Sequence, residues 1–275
     1  MIANRATTLA RFSLNQMTVD QWSLEEAVEA CRRAGVGWIA PWRHKLIDRG
    51  ARDYSRLLQA AGVRVSSLCR GGFFGAAGAD DDNRRAVAEA AELGTDVLVL
   101  VCGPAPGRDL REGRKIVAQG VERLLPHAIE HGVRLAIEPL HPMMVAERSV
   151  IVTLAQALDL AERFDESVGV IVDAYHVFWD PEVERQITRA GSRILGVHIS
   201  DWVTPMGDAT AARAMIGDGS IDLRRLLELV DRAGYRGPIE AEIISSELRS
   251  RPGREVFQRT LERFGELASD HRLPV

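Results

Sequence analysis

A chain of 275 residues that is 46% hydrophobic and 27% charged carries enough apolar side chains to bury a core without disulfide or metal staples. Its net charge of −4 at pH 7 excludes capture by nucleic acid or an anionic membrane through overall field, while leaving room for a local basic pocket. Three scattered cysteines, Cys31, Cys69 and Cys102, with no C-x-x-C pair, exclude a disulfide framework and point to a reducing compartment.

The N-terminal stretch MIANRATTLARFSLNQ has no continuous apolar segment of the kind a secretory signal carries, and the longest apolar run, Val97 to Cys102, is far too short to span a bilayer. The expected location is therefore cytoplasmic. The first strand is expected at 10–15 (ARFSLN), then an amphipathic helix over 24–35 that ends on Gly35. Alternation continues with a strand at 37–42, a helix at 51–62, a strand at 64–69, a helix at 82–94 and a strand at 96–101. The second half repeats it: helix 113–132, strand 134–139, helix 152–164, strand 168–173, helix 181–190, strand 194–200, helix 222–234, strand 239–244 and helix 254–268. Several joints read AGV, ELG, HGV or AGYRG, in which a glycine caps the helix and a strand starts two or three residues later. Such βα alternation, with near-continuous apolar strands, predicts a parallel sheet closed into a (β/α)₈ TIM barrel, one domain over 1–275. An open doubly wound sheet would want G-x-G-x-x-G after its first strand. The glycine-rich RGGFFGAAG (70–78) lacks that spacing and follows the third strand instead.

Barrel enzymes place their chemistry at the C-terminal ends of the strands. Here those ends carry Glu138, Asp173, His198 and Glu242 on four consecutive strands. With neighbouring strands about 4.8 Å apart, the four side chains can converge on one point. Three carboxylates and an imidazole form a hard, oxygen-rich donor set, which suits one divalent ion: Mn²⁺ first, with Mg²⁺ or Co²⁺ as alternatives to it. Each charge taken singly has a bland explanation as a loop charge or an ion pair. Four at equivalent strand ends weigh against that, because an unpaired charge beside apolar strands is costly. Further pocket candidates are His176, one turn beyond Asp173, and His141, which either orients Glu138 or lines the pocket. Arg213, Trp42, Arg43 and Arg70 are placed where a hydroxyl-rich or anionic ligand would meet them. Asp201 and Trp202 would back the site, and Phe73, Phe74, Phe178 and Trp179 could form an apolar lid, although core or interface packing is the commoner fate of such residues. The only lysines are Lys45 and Lys115, in a loop and a helix, so Schiff-base chemistry has no good candidate.

The segments LAIEPLHPM, VGVIVDAYHVFWDP, GVHISDW, RAMIGDGSIDL and YRGPIEAEI, together with the N-terminal third, resemble the sugar phosphate isomerase/epimerase family of xylose isomerase-like barrels. Relatives in that group include ketose 3-epimerases, inosose dehydratases, hydroxypyruvate isomerases and, more distantly, endonuclease IV. The resemblance implies a metal on Glu138, Asp173, His198 and Glu242, with the two glutamates also placed for acid/base work. The three-zinc site of endonuclease IV is not implied, since PWR, LCR and VCG stand where its extra histidines belong and Arg213 follows the seventh strand. The expected activity is therefore metal-dependent isomerisation or epimerisation of a ketose or related keto-sugar. Glu138 or Glu242 would remove a proton beside the carbonyl to give a metal-stabilised enediolate. The same intermediate with a β-leaving group would eliminate, so a dehydratase or β-eliminating lyase is the competing reading. A catalytically silent barrel that serves as a binding partner is a third. The expected partner is a small sugar-like molecule, with no nucleic acid and no membrane; the resemblance also allows a homo-oligomer.

Overall fold

The computed structural model describes residues 9–205 and 212–271; residues 1–8, part of the stretch read above for a leader, lie outside it. The barrel strands are β1 (Phe12–Asn15), β2 (Trp38–Ala40), β3 (Arg64–Val65), β4 (Leu68–Gly72), β5 (Val97–Val101), β6 (Arg134–Ile137), β7 (Val168–Asp173) and β8 (Ile194–Ile199). After β8 come the short pair β9 (Asp201–Trp202) and β10 (Arg213–Ala214), and then the last barrel strand, β11 (Ile239–Ala241). The sheet runs β3-β2-β1-β11-β8-β7-β6-β5-β4 with every pair parallel. Its two ends, β3 and β4, are successive pieces of one chain segment, and a parallel bridge between Trp42, just after β2, and Cys69 of β4 closes the ring.

Helices α1 (Leu24–Ala34), α2 (Ala51–Ala61), α3 (Ala79–Leu93), α4 (Leu110–Glu130) and α5 (Leu154–Ala161) follow the first strands. A four-residue turn, α6 (Ala174–Val177), comes directly after β7. Then come α7 (Val183–Ala190), α8 (Leu223–Arg232), the short α9 (Ser246–Arg249) and α10 (Gly253–His271). Local chemistry explains α1: Ser23 and Glu26 form a reciprocal capping box, two glutamates sit in the first turn, and Gly35 ends it at φ 72.

One expectation needs correcting. The strand foreseen at 64–69 is two pieces, broken at Ser66-Ser67 and continuing to Gly72. Both serine hydroxyls donate to Glu240 Oε1, at 2.9 and 2.7 Å. Adjacent residues of a regular strand point to opposite faces, so two neighbours serving one inward carboxylate require the pleat to break.

The main core lies between strands and helices, where Phe12 meets Phe264 edge-on at 5.0 Å. Alternation turns a smaller apolar cluster of Cys69, Val97, Val99, Ala136 and Ile171 toward the barrel axis. The opposite side of the lumen is polar, with Ser13, Asn15, Ser67, His198 and Glu240 all buried. No helix among the described residues is long and apolar enough to cross a membrane.

Candidate metal centre

Register brings the donors together. Asp173 ends β7 directly beside His198 of β8, and His198 pairs in turn with Glu240 of β11. Glu138 follows β6 with its amide on Leu100 O, and Glu242 follows β11 with its amide on Ile199 O. As a result Glu138, Asp173, His198 and Glu242 are all buried and offer ligand atoms within 4.8 Å of one another. This is the four-residue set expected from the strand ends.

His198 is the pivot. Its Nδ1 lies 3.0 Å from Glu138 Oε1 and 3.6 Å from Glu242 Oε2, while its Nε2 lies 3.2 Å from Glu240 Oε2. Burial disfavours the imidazolium, but Glu240, Glu242 and Glu138 outweigh burial and hold His198 well above its usual range. Glu138 Oε1 and both ring nitrogens of His198 are buried without a well-angled hydrogen bond among the described residues. Buried polar atoms left in that state call for an ion. The donor set fits one: three carboxylates face one guanidinium, Arg213, and leave two negative charges for a divalent cation to balance.

Arg213 arrives from β10, held by its amide on Ile244 O. Its Nη1 donates at 2.9 Å to Asp173 Oδ2 and lies 2.9 Å from Glu242 Oε2; Nη2 is 3.1 Å from His176 Nε2. Burial would raise Glu242, yet the charges of Arg213 and His198 hold it low. Burial, with Glu242 and Glu138 adding to it, raises Asp173 against the pull of Arg213. Burial and the Arg213 charge push His176 far below the usual histidine range, so it is neutral.

A cavity of about 400 Å³ opens over the cluster, lined among others by Trp42, Glu138, Arg148, His176, Arg213 and Glu242. A neighbouring cavity of about 520 Å³ shares Trp42, Cys69 and Arg148 with it and is walled further by Arg43 and Arg70. Of the other expected residues, Trp42 donates through Nε1 to Asn15 Oδ1 at 3.0 Å. Arg43 is tied to Asp82 and Glu89, which leaves its charge matched. The His141 ring packs near Trp179 and Trp202 and its Nδ1 accepts from Met143 N, while its amide donates to His176 Nδ1 at 3.1 Å, so it braces His176. Asp201 accepts from the amides of Trp202, Gly217 and Ile221, pinning the segment after β10. Trp202 stacks against Tyr175 and Phe178.

Two residues at the centre escaped the sequence reading. Glu240 is buried under His198, and its signal was the spacing of E-A-E in IEAEI, which puts both acids on one strand face. Asn15, ending β1, donates to Glu242 Oε1 at 3.0 Å and to Glu240 Oε2 at 3.3 Å.

A family model described as "Xylose isomerase-like TIM barrel" matches residues 28–267. The solved structure of protein SMc04130 from Sinorhizobium meliloti 1021 is similar at 44% identity and TM-score 0.92, over 94% of this chain and 98% of that one. A 3-dehydroshikimate dehydratase of Pseudomonas aeruginosa is 29% identical over 84% of this chain, which spans 38% of that protein's length. An L-ribulose 3-epimerase of a Methylomonas species is 25% identical over 55% of the chain and 50% of its own length. The matched family model and the buried strand-end cluster lead to one conclusion: the chain belongs to the xylose isomerase-like TIM barrel family.

Proposed function

We propose that this protein is a metal-dependent isomerase or epimerase that moves a proton on the carbon beside a carbonyl of a ketose or related keto-sugar. The observation that carries the reading is the buried convergence of Glu138, Asp173, His198 and Glu242 beneath a cavity that both glutamates line. A divalent ion held by those four, Mn²⁺ by donor type, supplies Lewis acidity toward a carbonyl and its neighbouring hydroxyl. Glu242, kept ionised by Arg213 and His198, is the base. Glu138, which follows β6, enters in its acid form and gives its own proton to the opposite face of the carbon, ending as the carboxylate while Glu242 ends protonated, and that inversion is epimerisation. His176, neutral and braced by the His141 amide, and Arg213 hold a substrate oxygen, with Trp42 as a wall.

Elimination is the second reading, supported by similarity to the dehydratase over most of this chain. Incubation with candidate keto-sugars in D₂O separates the two: solvent deuterium at one carbon with unchanged formula marks epimerisation, whereas loss of water marks elimination. If Glu242→Gln retained both its metal and full turnover, the two-carboxylate mechanism would be wrong.

A further inference from the structure

The cavity beside the metal pocket is lined by two arginines, Arg70 and Arg148, that form no ion pair of their own among the described residues. Most arginines of the chain are committed: Arg43 to Asp82 and Glu89, Arg213 to Asp173 and Glu242, Arg249 to Asp20. Among the described residues, those without a carboxylate or hydrogen-bond acceptor are exposed on the surface, with two exceptions, Arg70 and Arg148. Both are half-buried, and both lie over the ring of Phe73, at 4.0 and 5.8 Å from its centroid. A guanidinium withdrawn from water without a partner is unfavourable, and two brought near one ring repel each other. Burial lowers Arg70, with the Arg148 charge adding to it and the more distant charge of Asp82 opposing it.

The support beneath them is built tightly. Phe73 takes the left-handed φ of 47, which a phenylalanine adopts only when its surroundings impose it. Its amide donates to Val101 O at 2.8 Å, and a side chain on Gly103 would come within 2.9 Å of its Cα. The ring is thus fixed where it steadies two guanidinium groups at the mouth. Arg148 borders both cavities, so a ligand held at the metal cluster by one end reaches this pair with the other.

We infer that Arg70 and Arg148 form a subsite for an anionic substituent, a carboxylate or phosphoryl group, on the substrate. This rests on the reading of the metal cavity as a keto-sugar site and narrows the substrate to an acidic or phosphorylated one. Charge-assisted bonds to such a group are stronger than neutral ones, and arginine's planar fork suits either anion.

The test compares three six-carbon keto compounds by calorimetric titration of metal-loaded protein: D-fructose, D-fructose 6-phosphate and 5-keto-D-gluconate. The subsite requires at least one of the two anions to bind about tenfold or more tightly than fructose. The anion preferred identifies the group as phosphoryl or carboxylate. Arg70→Gln and Arg148→Gln should each remove that preference. Arg163→Gln should keep it, because Arg163 also lies over a phenyl ring, that of Phe164, but is exposed between α5 and β7. Equal binding of the three compounds, or a preference that persists in both variants, overturns the inference. Metal content measured on the same samples tests the parent reading separately: anion preference without bound metal would sink the metal mechanism and leave the subsite standing.

Discussion

Replacing Glu240 probes the metal centre without touching a ligand. Its Oε2 lies 3.2 Å from His198 Nε2, and its Oε1 accepts from Ser66 and Ser67 while Asn15 donates to Oε2. With Nε2 of a neutral His198 turned toward this carboxylate, Nδ1 faces Glu138 and Glu242, where a metal would sit. Carboxylate partners of metal-bound histidines typically contribute about 10–100-fold in metal affinity, or about 1.4–2.7 kcal/mol. Glu240→Gln keeps the shape and the serine contacts but removes the charge, so the Mn²⁺ dissociation constant should rise by about tenfold. Glu240→Ala also leaves the buried Ser67 hydroxyl without its acceptor, while Ser66 and Asn15 keep second partners, and should lose more affinity, together with about 1–3 kcal/mol of stability. Affinity is read by competition with a chelator of known strength, and circular dichroism checks the fold in parallel. A Glu240→Gln protein that folds normally and binds Mn²⁺ as tightly as the parent would refute the positioning role.

Three further outcomes follow from the same geometry. Arg213→Met leaves Asp173 and Glu242 facing each other without their cation, so the metal-free variant should be about 3–5 kcal/mol less stable in urea, with much of the loss recovered on adding Mn²⁺. Because its folded-state pKa is raised, His198 stabilises the metal-free protein below its unfolded pKa, and that contribution is lost as pH rises through the raised value. Metal uptake near neutral pH should accordingly release about one proton, seen as a binding enthalpy that tracks the ionisation heat of the buffer; equal enthalpies in Tris and phosphate would contradict this. In Gly72→Ala, at φ 104, the new methyl would lie 2.0 Å from Val101 O, a backbone atom that cannot rotate away, so β4 and β5 must part and denaturant titration should show a loss above about 4 kcal/mol.

Much of this architecture was legible in the chain because barrels repeat a simple period. Apolar runs ending in a charged residue marked the strand ends, and glycine caps marked the joints, which is why all four members of the buried cluster could be named. The rest depended on contacts that no local pattern encodes. Ser66 and Ser67 read as ordinary strand residues, and only the carboxylate across the lumen, 173 and 174 residues away in sequence, explains the break they impose. Arg43 and Arg70 looked alike at two strand ends, yet Asp82 and Glu89 of α3 form ion pairs with the first and none with the second. His141 was read from its neighbours in EPLHPM, whereas its ring answers to Trp179 and Trp202. Arg148, in a loop with no periodicity, carried no signal at all.

The uneven lumen ties stability to function. Barrel interiors of this type are ordinarily filled by branched apolar layers. Here one side keeps such a layer, and the other gives it up to Ser13, Asn15, Ser67, His198 and Glu240. Buried polar groups are costly unless partnered, and in this floor Ser13, Asn15, Ser67 and Glu240 interlock through Ser66 and one another, with the His198 nitrogens facing carboxylates. Its members span β1, the broken third strand, β8 and β11, so closing the barrel and aiming His198 are one event. Cohesion then falls to the apolar layer between strands and helices, where burying a side chain the size of Phe12 is worth about 1.5–3 kcal/mol. The two layers should therefore separate under mutation: truncations in the outer layer lower the unfolding midpoint at unchanged metal affinity, whereas shape-preserving changes in the polar floor lower metal affinity first.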